Sequence, residues 1–223
     1  MNKREEWQNF EMFVHRRHLA RFLVRYELFR RILDAKGTIV ECGVHYGGGV
    51  MAWAKLSSIF EPYALHRRIV GFDTFEGFPG VTDKDKEKEN PNVRKGAFRI
   101  EGNAYEELLS AIEEYDDQRY LNMYKKVELV KGDATETIPK YLEENEHLVV
   151  ALLFMDFDLY EPTRIALETL LPRVPKGGIV AFDEINNPGW PGETTALVEH
   201  VANLNKIGLR KFHFDTNIAY ITI

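Results

Sequence analysis

From Leu19 to Leu33, apolar residues fall at Leu19, Phe22, Leu23, Tyr26, Phe29, Ile32 and Leu33, the period of an amphipathic helix. Upstream, Trp7, Phe10, Phe13 and Val14 extend the pattern, so residues 1–36 read as an N-terminal helical arm and 37–223 as the main domain. Such a helix either covers a sheet edge or serves as a lid or dimer arm. Five short apolar, β-branched runs follow: Thr38–Cys42, Ile69–Asp73, Val127–Lys131, Leu148–Met155 and Gly178–Phe182. Their lengths and composition predict strands, and the run before Met155 is apolar on both faces, as in a central parallel strand. Helical stretches alternate with them. One runs from about Gly48 to Phe60, and a second over Ala104–Tyr115 has Asn103 as its candidate cap. A third lies near Thr137–Glu144, a fourth holds Pro162 in its first turn and ends near Leu171, and a fifth runs from about Glu193 to Leu204. Two closing strands, Lys211–Phe214 and Ile218–Ile223, are separated by a short DTN turn and therefore pair antiparallel. The pattern predicts a doubly wound, mostly parallel α/β sheet with a terminal antiparallel hairpin, a Rossmann-like class.

The stretch from Gly77 to Gly102 has no period and contains VTDKDKEKENPNVRKG. A charge run of this kind is a solvated loop, and one of this length is otherwise a lid over a site. The net charge of −6 argues against nucleic acid as the partner, because a phosphate backbone needs a basic face. No apolar run approaches the roughly 20 residues that span a bilayer, so no membrane partner is expected. The charged start MNKREEWQNF lacks a signal-peptide core, and the single cysteine, Cys42, forms no internal disulfide. Both features fit a reducing cytoplasm.

Acidic residues close each of the five runs: Glu41, Asp73, Asp133, Asp156 and the pair Asp183-Glu184. Ligands of open parallel sheets sit outside the carboxyl ends of the strands, so this placement describes an enzyme site. The turn Glu41-Cys42-Gly43-Val44-His45-Tyr46-Gly47 has glycines for close backbone approach, but lacks the second early glycine of a dinucleotide fingerprint. A carboxylate ahead of the glycine repels phosphate and attracts a sulfonium or ammonium. S-adenosylmethionine is favoured over NAD, with Glu41, Gly43, Val44, Tyr46 and Gly47 as candidate contacts. Asp73, followed by Thr74 and Phe75, suits ribose hydroxyls, since a carboxylate accepts two hydrogen bonds. Asp133, between Gly132 and Ala134, is placed either at the adenine or as a simple turn residue.

Asp156 and Asp158 follow the fourth strand, and Asp183 and Glu184 the fifth. Neighbouring parallel strands would bring them together. Asp156, Asp183 and Glu184 are hard oxygen donors suited to Mg²⁺, and crowded carboxylates without a cation would raise one another's pKa. Methyl transfer to an alcohol needs positioning and an activated hydroxyl, which a divalent ion supplies. Asp156 and Asp158 are the catalytic candidates, Asp158 as base or acceptor anchor. Asn186, Trp190 and Glu193 are candidate acceptor residues, with Trp190 either stacking on a sugar face or packing beneath its loop. His45 sits in the glycine turn, while His213 on the hairpin reads as structural.

IVECGVHYGGG, GFDTFEGFP, KGDATETIP, MDFDLYEPTRIALETL and AFDEINNPGWPGET, together with the RFLVRYELF helix, resemble the macrocin O-methyltransferase family. That family methylates deoxysugar hydroxyls in macrolide and enediyne antibiotics. The resemblance implies S-adenosylmethionine, Mg²⁺, a seven-stranded class I methyltransferase sheet and a small-molecule glycoside or sugar substrate. It also implies homo-oligomers with N-terminal elements near the site. It assigns Glu41, Gly43 and Gly47 to the cofactor motif, Asp73 to the ribose, and Asp156, Asp183 and Glu184 to the metal. Catechol O-methyltransferase looks like a more distant relative, with a lysine base three residues after its first metal ligand. This chain has Leu159 there, so a lysine base is not expected. The competing readings are a nicotinamide oxidoreductase and a catalytically idle nucleoside-binding or assembly protein.

Overall fold

Strand β1 (Thr38–Cys42) and strand β4 (Val150–Met155) are buried at every position, as their uninterrupted apolar sequences require. The computed structural model describes residues 5, 8–86, 90–215 and 217–223. Trp7, part of the charge run (87–89) and Thr216 of the DTN turn lie outside the described residues.

Around β1 and β4 stand β2 (Ile69–Asp73), β3 (Val127–Lys131) and β5 (Ile179–Phe182), all parallel. The antiparallel β6 (Arg210–Lys211) and β7 (Ala219–Thr222) complete a seven-stranded sheet of order β3-β2-β1-β4-β5-β7-β6. The chain winds outward from β1 to β3 and then crosses back to β4, which makes the β1/β4 boundary the topological switch point. Register puts Cys42 opposite Phe72 and Met155, and Met155 opposite Phe182. The next residue on each strand therefore emerges at one level, which brings Gly43, Asp73, Asp156 and Asp183 to a common rim.

Helices cover both faces. On one lie α2 (Arg16–Arg31), α3 (Gly48–Phe60) and α4 (Ala104–Gln118), packed into one core through Leu28, Ile32, Trp53 and Leu108. On the other lie α5 (Ala134–Glu144), α6 (Tyr160–Leu170) and α7 (Pro191–Val201), packed through Ile138, Leu167 and Leu197. The short α1 (Phe10–Phe13) buries none of its residues.

Several local expectations are corrected. The inward face of α2 is Val24, Leu28, Phe29 and Ile32, whereas Phe22 and Leu23 are 39% and 42% exposed. Arg21 and Arg25 extend that inward face toward buried carboxylates, an ion-pairing pattern that a hydrophobic period cannot register. Asn103 stands at the cap position of α4, but its side chain makes no capping bond. Helix α5 starts at Ala134 because Asp133 caps it, accepting from Thr135 N at 2.9 Å. Strand β6 ends at Lys211, so the closing connection spans residues 212–218 rather than three residues. The described part of the Gly77–Gly102 segment is free of helix and strand, yet it is docked. Asp85, only 1% exposed, accepts from Thr82 N at 2.7 Å and from Tyr160 N at 2.5 Å, capping α6 from outside.

Candidate active site

A cavity of about 640 Å³ opens at the carboxyl ends of β1, β2, β4 and β5. Its wall on one side is the turn after β1. Gly43 takes a positive φ of 94° there, and a Cβ would lie 2.1 Å from the Asp156 carbonyl oxygen, so only glycine lets the two strand ends approach. Gly49, in the first turn of α3, makes room for Glu41: a Cβ would meet Glu41 Oε1 at 1.7 Å. The Glu41 carboxylate is buried, Oε2 lacks a hydrogen bond, and Arg25 Nη2 lies 3.8 Å from Oε1. Burial pushes the Glu41 pKa up to about 7, opposed by Arg25 and by the nearby Trp53 indole, whose N–H completes no hydrogen bond.

Asp73 is braced by backbone donors. Oδ2 accepts from Val44 N at 2.7 Å and His45 N at 2.8 Å, and Oδ1 accepts from Phe75 N at 2.6 Å. The bracing fixes the carboxylate and uses both acceptor sites of Oδ2 and one of Oδ1, leaving Oδ1 a further site. Glu41, Gly43, Val44, Tyr46, Asp73, Thr74, Gly132, Asp133 and Ala134 all line the cavity, joined by His45, which the sequence placed in this turn. Burial lowers the His45 pKa against the opposing pull of Asp73. Gly47 and Phe75 stand behind the wall instead. Gly47 is the N-cap residue of α3, and Phe75 packs in the core against Tyr105. Asp133 both lines the cavity and caps α5.

The opposite wall is acidic: Asp156, Asp158, Asp183 and Glu184. Arg21 of α2 enters it, with Nη2 2.8 Å from Asp183 Oδ1 and 3.1 Å from Asp156 Oδ2. Burial works against the Arg21 charge, but Asp156 and Asp183 outweigh it and hold the guanidinium firmly protonated. Burial, then Asp183, lifts Asp156 well above the carboxylate range, with Arg21 opposing. Burial, Asp183 and Glu184 push Asp158 up to about 8. Asp158 also holds a left-handed backbone, φ 62°, a strained conformation of the kind concentrated at functional sites. Burial raises Glu184 too, while Asn187 donates to its carboxylate and partly offsets this.

Glu193 is not placed for an acceptor. It is fully buried, its Oε1 accepts from Phe157 N and Asp158 N, both at 3.2 Å, and its Oε2 accepts from Glu184 N at 3.1 Å. One carboxylate from α7 thus ties the loop after β4 to the loop after β5. Asn186 is exposed, holds a left-handed backbone at φ 64°, and lies outside the cavity lining. Trp190 does line it, grouped with Phe78 at 5.9 Å and Phe98 at 5.7 Å between ring centroids. His213 is exposed on the closing connection.

The donors suit Mg²⁺ chemically, being hard oxygens on adjacent strands, but Asp183 Oδ1 is already ion-paired with the Arg21 guanidinium. As the site stands, Arg21 occupies the point where Asp156 and Asp183 converge. Among the described residues, no three carboxylate, imidazole or thiolate groups gather around one ion position.

Sequence reasoning missed Arg21, Arg25, Gly49, Phe78 and Phe98. The two arginines lie four residues apart on one helix face, the spacing that could have marked them as a pair. Arginine on an amphipathic helix is ordinarily its wet side, and only the acidic strand ends reverse that expectation.

Comparison with known proteins identifies the pattern. The macrocin-O-methyltransferase (TylF) family model matches residues 16–220. The 8-demethyl-8-(2,3-dimethoxy-alpha-L-rhamnosyl)-tetracenomycin-C 4'-O-methyltransferase of Streptomyces olivaceus is 31% identical over 163 residues, 66% of this chain and 52% of that protein. The chain spans about half the length of the curated relative it matches. A structure of the calicheamicin methyltransferase CalS11 superposes with a TM-score of 0.94 at 38% identity, covering 100% of this chain and 86% of that one. An apo structure of CalS11, a TDP-rhamnose 3'-O-methyltransferase, gives 0.84 at 35% identity, covering 100% and 87%. The O-methyltransferase NovP shares the fold, with a TM-score of 0.69 at 21% identity over 91% of this chain and 79% of that one.

Proposed function

The chain belongs to the macrocin O-methyltransferase family, and from that premise we propose that it is an S-adenosylmethionine-dependent O-methyltransferase acting on a sugar hydroxyl of a glycoside. The observation that carries this is a single cavity with a braced Asp73 and a buried Glu41 on one side and four carboxylates on the other. In this reading the nucleoside half of the cofactor lies along Gly43–Tyr46, Asp73–Thr74 and Gly132–Ala134. Asp73 accepts from a ribose hydroxyl at the remaining site of Oδ1, and the Glu41 charge favours the cationic methionine end. The relatives' rhamnosyl substrates support a deoxysugar acceptor, which Trp190, with Phe78 and Phe98 at the cavity mouth, would hold by stacking.

Chemistry then needs an oxygen nucleophile in line with the S–CH₃ bond. The acceptor oxygen forms a bond to the methyl carbon, the C–S bond breaks toward sulfur, and the hydroxyl proton passes to Asp158. Burial, with Asp183 and Glu184 beside it, makes Asp158 a stronger base than an ordinary carboxylate. Magnesium stays part of the proposal, with Asp156 and Asp183, which converge on Arg21, and the neighbouring Glu184 as the residues that would have to rearrange to hold it. Such an ion, when bound, acidifies a hydroxyl and stabilises the developing alkoxide. The exposed Phe10, Met12 and Phe13 support a homo-oligomer, and the buried, unpaired Cys42 supports a reducing cytoplasm.

The test is incubation with S-adenosylmethionine and two acceptor sets, rhamnosyl glycosides and nucleotide-linked rhamnose, followed by mass spectrometry, with and without a chelator. A sugar gaining one methyl group alongside S-adenosylhomocysteine is expected, with turnover falling on chelation. No methylated product from either set would refute the reading.

A further inference from the structure

Arg25 follows Arg21 by one turn of α2 and borders the cavity beside Glu41. Its side chain is only 13% exposed, yet it is poorly partnered. Nε is buried without a hydrogen bond. The one ion pair Arg25 makes among the described residues, from Nη2 to Glu41 Oε1, is long at 3.8 Å. The guanidinium instead lies over the rings of Trp53 and Phe154, its central carbon 5.9 and 5.6 Å from their centroids. Arg21 is the opposite case, with Nη2 taken up by Asp183 at 2.8 Å and Asp156 at 3.1 Å. The mounting of Arg25 is rigid, because Val24, Leu28 and Phe29 of the same helix are fully buried and pack with Trp53 and Phe154 in one core.

A guanidinium taken out of water loses its hydration, and ring faces replace only part of it. At a cavity wall such a group is matched by an anion. Resting on the reading that the cofactor is S-adenosylmethionine with its methionine end at Glu41, we propose that Arg25 receives the α-carboxylate of that methionine. The amino-acid end carries an ammonium and a carboxylate on one carbon, and this wall sets a carboxylate and a guanidinium side by side. Glu41 takes the ammonium and Arg25 the carboxylate, so each charge meets its opposite. Their 3.8 Å separation is too long for a hydrogen bond, so neither gives one up when the ligand's charges arrive. The rigid fork of N–H donors on arginine fits a carboxylate in a way the point charge of lysine does not. The opposite wall, with four carboxylates, repels an anion and directs it to the Arg25 side. Helix α2 thereby gains a binding task, anchoring the end of the cofactor farthest from the strand ends that hold the nucleoside.

Calorimetry on wild type and Arg25→Met tests this with two ligands, S-adenosylmethionine and its decarboxylated form, which keeps the ammonium and the sulfonium. Wild type should bind the intact cofactor about 10- to 100-fold more tightly than the decarboxylated one, the worth of a hydrogen bond to a charged group. That preference should largely vanish in Arg25→Met. Removing Arg25 also alters the charge beside Glu41, but this acts on the ammonium common to both ligands and cancels in the ratio. Arg25→Lys should restore part of the preference. A preference unchanged in Arg25→Met, or absent from wild type, overturns the assignment and leaves the cofactor reading standing. Failure of wild type to bind either ligand overturns both.

Should the Arg25 variants fail to fold, arginine-selective dicarbonyl labelling of the wild-type protein decides. Slower labelling of Arg25 with S-adenosylhomocysteine than with 5'-methylthioadenosine, which lacks the amino-acid end, supports the contact. Equal rates with the two ligands overturn it.

Discussion

Glu41 sits fully buried near the end of β1 with one carboxylate oxygen unpartnered. Its pKa of about 7, against 4.5 when unburied, means the folded chain binds that proton more tightly than the unfolded chain does. The resulting stabilisation is complete below about pH 4.5 and is lost as pH rises through about 7. Cofactor binding carries the opposite sign, because the ionised carboxylate is the form that favours a cation. The melting temperature of the cofactor-free protein should fall between about pH 4.5 and about pH 7, with the Glu41 part levelling off above, and S-adenosylmethionine affinity should rise as pH approaches about 7. Glu41→Gln should make both trends shallower, by thermal melts and calorimetry, the raised Asp156, Asp158 and Glu184 keeping a residual slope in stability. Glu193 acts differently, by satisfying three backbone donors. Glu193→Ala leaves those N–H groups buried without partners, at about 1–3 kcal/mol each where no water replaces them. A large drop in melting temperature is expected, with acceptor turnover reduced beyond any change in cofactor affinity. A change within about 0.5 kcal/mol would mean the three bonds are not made.

Among the elements, the periodic strands were legible from sequence because their signal is local. Thr38–Cys42, Ile69–Asp73 and Val127–Lys131 fall at their predicted bounds, and so does the helix Gly48–Phe60. Elements set by tertiary partners were not legible. Helix α2 turns Arg21 and Arg25 inward only because Asp156, Asp183 and Glu41 lie beneath it, a fact absent from its own period. Glu193, read as an acceptor residue at the start of its helix, lies in the first turn of α7 and is aimed at amides of two other loops. The acidic strand ends were readable as a set, since each closes its own run. Their shared counter-ion came from over a hundred residues away. The same logic governs the long 77–102 segment, whose charges read as solvated although Asp85 anchors it to α6. Asp85→Ala should cost about 1–2 kcal/mol as a lost cap and loosen the segment. Faster hydrogen exchange in residues 78–86 and a higher KM for the acceptor than for the cofactor would bear this out. A variant with unchanged exchange there would separate the segment from the site.

On the scale of the whole molecule, the sheet order and register dictate where chemistry can occur. The switch between β1 and β4 places one cavity against two unlike walls, one shaped for a nucleoside and one crowded with carboxylates. Family membership agrees with that division, and the helices on both faces leave the carboxyl ends of the strands as the open edge. The account stands or falls on the cofactor occupying the wall that Asp73 organises. Calorimetric titration of S-adenosylmethionine into wild type and Asp73→Ala tests this most directly, with NAD⁺ titrated as the control. One cofactor bound per chain, no NAD⁺ binding, and affinity reduced by about tenfold or more in Asp73→Ala is the predicted result. Failure of wild type to bind S-adenosylmethionine, or equal affinity in the variant, would contradict it.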